Sequence, residues 1–88
     1  MSTMAKVTAT GNVGTGSRSL LSIVLAGGSA AATLDVRLNG SGDAVAMTLA
    51  APIGDSVVWR AGSRQGVGAA QPHATLAGTG ASATFEYD

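Results

Sequence analysis

Few side chains in this sequence could move protons or hold a metal. There is one histidine, His73, together with five carboxylates, one lysine and four arginines. General acid–base catalysis needs at least two titratable groups converging in a pocket. His73 directly follows Pro72 at the start of an expected strand, where a partly exposed structural role fits it best, and no second histidine is present to share a metal ion. Asp35 and Glu86 fall on expected outer strand faces and Asp88 beside them, so solvation or a salt bridge with an arginine such as Arg37 is their expected state. The inventory therefore reads as a non-enzyme with no metal and no cofactor.

Three local patterns imitate binding motifs and fail on context. The loop Gly11-Asn12-Val13-Gly14-Thr15-Gly16-Ser17 is rich enough in glycine to cradle a phosphate, but no Gly-Lys-Ser/Thr follows and the next segment reads as a strand rather than a helix. Asn39-Gly40-Ser41 matches a glycosylation sequon, yet Asn-Gly is first of all a turn signal. Asn39, Ser41 and Asp43 offer oxygen atoms to Ca²⁺ without the spacing of an EF-hand loop. Nucleic-acid binding would call for clustered cations; the net charge is zero and Arg18, Arg37, Arg60 and Arg64 are scattered, so no nucleic-acid partner is expected. Only Trp59-Arg60 through Arg64-Gln65 joins an aromatic ring to two cations, a combination favoured at protein interfaces, although a core tryptophan at a strand end explains it as well.

The elements that must position these residues are strands. Thirteen glycines and two prolines divide the chain into pieces too short and too β-branched for helices. Lys6 to Thr10 alternates small apolar and polar residues. Arg18 to Ala26 is apolar on both faces, with Leu21, Ile23 and Leu25 on one and Leu20 and Val24 on the other, as expected of a central strand. Leu34, Val36 and Leu38 alternate with Thr33, Asp35 and Arg37, the pattern of a half-buried strand. The Asn-Gly signal then predicts a tight hairpin into Val45, Met47 and Leu49. Pro52 ends that strand, and Val57-Val58-Trp59 forms the next. Residues 61–70 read as a long irregular loop, followed by a hairpin of His73 to Ala77 and Ala83 to Tyr87 about Gly78-Thr79-Gly80. The sum is an all-β domain, a small antiparallel sandwich or barrel of six to seven short strands.

An internal echo supports two equivalent hairpins. Leu25-Ala26-Gly27 and Leu76-Ala77-Gly78 each precede a turn, followed by Ala32-Thr33-Leu34-Asp35-Val36 and Ala83-Thr84-Phe85-Glu86-Tyr87. Convergence and duplication explain the echo equally well. Either way, Asp35 and Glu86 belong on the outer faces of comparable strands.

An 88-residue chain folding alone hides roughly 60% of its unfolded surface. Seventeen of its hydrophobic residues are alanines and only Trp59, Phe85 and Tyr87 are aromatic, so the core is thin. Absence of cysteine removes disulfides and thiolate chemistry. No apolar run approaches a membrane span, and Leu20 to Ala26 ahead of Ser29-Ala30-Ala31-Ala32 reads as a buried strand rather than a signal peptide. Charged residues at 11% leave little electrostatic protection against association.

Taken with the lead Met1 to Lys6, the segments Leu20 to Gly28, Val57 to Gly62 and Ala74 to Tyr87 give a chain that resembles the small β-structured virion proteins of tailed bacteriophages, of the capsid decoration or cement type. The resemblance spans most of the chain without an invariant signature. It implies a structural protein in a virion, bound to the major capsid protein or another virion protein, self-associated and most often trimeric, assembled in the host bacterial cytoplasm. Neck, tail or head-fibre placement, or a carbohydrate- or receptor-binding module, are the alternatives. The expected partner contacts are Met1, Met4, Lys6, Trp59, Arg60 and Arg64, with residues 1–5 as a flexible arm.

Overall fold

A computed structural model describes residues 3–14, 16–62 and 66–88. Met1 and Arg64, both expected contacts, lie outside the described residues. Among those described, nine strands form two antiparallel sheets: β1 (Thr3–Val7), β2 (Gly11–Asn12), β3 (Arg18–Ala26), β4 (Ala32–Arg37), β5 (Val45–Ala51), β6 (Ser56–Arg60), β7 (Val67–Ala69), β8 (His73–Ala77) and β9 (Ser82–Tyr87). The first sheet runs β1-β9-β3-β6, with β7 beside the start of β3; the second runs β2-β8-β4-β5. The all-β sandwich expected from the alternation is thus present. It has more strands than six or seven because β2 and β7 lie inside stretches that read as Gly-rich loops. Both are too short, at two and three residues, to carry a visible alternation.

The inner faces meet in one core. Leu20, Ile23, Leu25, Ala83, Phe85 and Tyr87 come from the first sheet, and Ala32, Leu34, Val36, Ala51 and Ala74 from the second. Side chains of the size of Leu, Ile and Phe each contribute about 1.5–3 kcal/mol when fully buried, so Leu20, Ile23, Leu25, Leu34 and Phe85 dominate the packing.

Two strand assignments change in detail. In β3, Leu20 is buried and Leu21 is not, the reverse of the expected faces. The cause is a bulge: Leu20 pairs with Tyr87 and Ser22 with Glu86, so Leu21 is an extra residue and the alternation shifts by one across it. At the N-terminus, the strand begins three residues earlier than the alternation placed it. Thr3, Met4 and Ala5, expected in a flexible arm, pair with Tyr87, Glu86 and Phe85 of β9.

The expected terminal hairpin is instead an arch. β8 lies in the second sheet and β9 in the first, so the chain crosses the core between them; β3 and β4 do the same in the opposite direction. The sequence echo therefore marks two β-arches that pair with each other, β3 with β9 and β4 with β8. Their turns abut at one end of the sandwich. A Cβ on Gly28 would stand 2.5 Å from the Thr79 carbonyl oxygen, and one on Gly78 would stand 2.5 Å from that of Ala31. Gly78 also has φ of 118°, so glycine is required there twice over. Where a tight hairpin was expected after Asn39-Gly40, residues 38–44 make a longer connection, with Gly40 at φ of 91°.

Candidate functional site

The register of the first sheet determines which side chains share its outer face. Because Phe85, Ile23 and Leu25 point into the core, their strand neighbours point out. One transverse row is Met4, Glu86, Ser22 and Arg60; the next is Lys6, Thr84, Val24 and Val58. Three of the expected contacts, Met4, Lys6 and Arg60, thus stand on one surface. Met4 and Arg60 sit at opposite edges, about 14 Å apart at three strand spacings.

Two apolar side chains on this surface are notably open to solvent, Met4 at 63% and Val58 at 51%. Lys6 and Arg60, exposed as well, place a cation near each. Between them the central strands contribute half-buried side chains: Val24, Thr84, and the Ser22 hydroxyl, which donates to Glu86 Oε1 at 3.1 Å. The result is a partly apolar strip with a positive group at each side and the half-buried Glu86 carboxylate, held by Ser22, between them.

Trp59 does not belong to it. In β6, Val57 and Trp59 alternate with the exposed Ser56, Val58 and Arg60. Trp59 pairs with the buried Ile23 and packs against the core, so the expected aromatic anchor serves the interior. Val58, which residue pattern alone assigned no contact role, takes the outward position. The signal for this was present: a Val-Val-Trp run in an edge strand can bury only alternate residues, and burying the large ring exposes the preceding valine.

The outer face of the second sheet is of another kind. Asp35 Oδ1 accepts from the Thr48 hydroxyl at 2.9 Å. Arg37 donates through Nη1 to Thr75 Oγ1 at 2.9 Å and through Nε to the Asp43 carbonyl at 3.0 Å. His73 stands at the start of β8, opposite Arg37 and Asn12, half-buried. Among the described residues, no three His, Cys, Asp or Glu side chains come together.

A depression of about 430 Å³ opens at the end of the sandwich away from the arches, bordered by Ser17, Arg18, Ser19, Gly68 and Asp88. Arg18 is already engaged in the fold there. Its guanidinium lies over the Tyr87 ring at 5.4 Å and donates through Nη1 to the Ser17 carbonyl. Gln71, unremarked in the sequence, organises the same end. Its Nε2 lies within hydrogen-bond reach of the carbonyls of Val13, Gly14 and Pro72, and its Oε1 accepts from Gly16 N–H at 2.9 Å. Its backbone binds Leu38 and Gly40.

No family model, no curated protein and no solved structure matches this chain.

Proposed function

We propose that this chain is a non-enzymatic structural protein that docks onto a repeating protein lattice through the outer face of its first sheet, in the manner of a bacteriophage capsid decoration protein. The observation that carries the reading is the pairing of exposed apolar Met4 and Val58 with Lys6 and Arg60 on one sheet face. A charge-poor, partly apolar face gains by burial against a neighbour, and repetition on a symmetric shell multiplies a weak contact through avidity. The natural partner is the major capsid protein or another virion protein with an acidic rim around an apolar patch.

The sugar-binding alternative is weaker on physical grounds. Sugar recognition uses exposed aromatic platforms, whereas Phe85 and Tyr87 are buried and Trp59 is turned toward the core. Neck, tail and head-fibre positions differ from the shell in copy number rather than in contact chemistry.

Cryo-imaging of particles carrying a density-tagged chain tests the proposal. Copies spread over the head surface are expected, about six or twelve at one vertex would move the protein to the neck, and none on any particle would overturn it. In the same assay Val58→Glu should cut particle binding at least tenfold. Wild-type occupancy of the variant would remove this face from the account.

A further inference from the structure

Sheet edges are the other surfaces on which a β-protein must manage association, because each offers a row of unpaired backbone donors and acceptors. Among the described residues, four strand segments other than β5 bound the two sheets, and each is blunted. β1 carries Lys6 and β6 carries Arg60. β2 and β7 are two and three residues long. β5 has neither protection. It runs seven residues, Val45-Ala46-Met47-Thr48-Leu49-Ala50-Ala51, without a charge, and Pro52 comes only after its end.

Among the described residues nothing pairs with its outer side. β5 pairs with β4 alone, and no other described backbone group bonds to it. The shift in register with β4 lies between Val36 and Arg37, opposite the first residues of β5, so Met47 to Ala51 continue as regular strand. Val45, at one end, is 42% exposed and Ile53, just past the other, is 67% exposed.

We propose that β5 is a self-pairing edge: two copies of the chain add antiparallel through Ala46–Ala50 about a two-fold axis at Thr48, joining their four-stranded sheets into one of eight. Three features favour a second copy as the occupant. An antiparallel edge is self-complementary under a two-fold axis, which is the commonest closed symmetry of homo-oligomers. A chain of zero net charge meets no overall repulsion from itself. The register about Thr48 also keeps the faces matched. Met47 of one copy lies opposite Leu49 of the other on the core side, while the two Thr48 side chains meet on the outer side as a cross-strand threonine pair. A slip of one residue would set core-side against solvent-side positions.

This pairing uses a different surface from the lattice-binding face, and its test is independent of any virion. Because the chain has no cysteine, a single introduced one reports cleanly. Directly opposed antiparallel residues have Cα atoms about 4.5–5.5 Å apart, within the range a disulfide spans. Sedimentation of the native chain at micromolar concentration should give twice the 8.5 kDa subunit mass. On mild oxidation Thr48→Cys should cross-link at least tenfold faster than Thr33→Cys, which lies on the same outer face one strand further from the axis. Thr48→Lys, with two like charges at the axis, should return the mass to the monomer with an unchanged β circular dichroism spectrum. A monomeric or trimeric native mass overturns the proposal, and so does a doubled mass in which Thr48→Cys cross-links no faster than Thr33→Cys. Val58→Glu should stay dimeric; its dissociation would assign the contact to the other face.

Discussion

The two outer faces of this sandwich are built on equivalent strands yet use their side chains in opposite ways. On the second sheet, Asp35 and Arg37 are held by Thr48, Thr75 and the Asp43 carbonyl, so these two charged groups find their partners within the sheet and its β4–β5 connection. On the first, Met4 and Val58 stand open beside Lys6 and Arg60. The difference teaches that two faces of similar strand make-up can differ in how far their outward side chains are engaged within the fold. The proposed docking rests instead on Met4 and Val58, outward apolar side chains left open to solvent on the first sheet.

That comparison can be broken first at the core beneath both faces. Leu34 and Phe85 occupy equivalent positions of the two arches, and both are fully buried. If the sheets differ only on their outsides, Leu34→Ala and Phe85→Ala should each cost about 2–5 kcal/mol in urea unfolding. A small effect at one of them would show that its sheet does not share the common core. Gln71→Ala comes next. Its amide ties the loop between β2 and β3, which joins the two sheets, so the substitution should lose about 1–3 kcal/mol and loosen amide exchange on both sheets together. Protection lost from the second sheet alone would mean that the amide serves only one side. The smallest effects separate the faces themselves. Asp35→Ala removes the acceptor of Thr48 and should cost about 0.5–1.5 kcal/mol, whereas Val58→Glu should change stability by less than about 0.5 kcal/mol. Equal destabilisation by the two would erase the contrast.

Much of this architecture can be read from the residues, for reasons that also explain the rest. The buried row Leu34 and Val36 and the outward Asp35 and Glu86 follow from alternation, which is a property of a few adjacent residues. The inversion of Leu20 and Leu21 does not, because a bulge depends on how β3 meets β9 across more than sixty positions of sequence. The same limit turned arches into hairpins: Gly78-Thr79-Gly80 specifies a reversal of direction but not whether the returning strand stays in its sheet. Met4, Lys6 and Arg60 were recognisable as surface groups, but their assembly on one face needed the order β1-β9-β3-β6. Gln71 had no periodic signal at all. A lone amide beside Pro72 acquires its role only when three connections converge on it.

The arches also govern when this molecule can exist during its synthesis. The middle strand of the first sheet, β3, receives one flank only from β9, and β4 likewise waits for β8. A ribosome that has delivered β3 and β4 has therefore delivered apolar segments some of whose permanent neighbours are still unmade. The complete sandwich therefore closes only after β8 and β9 have been made, and closing such distant pairs is intrinsically slow. Until then the unpaired flanks of β3 and β4 are open to non-native strand pairing.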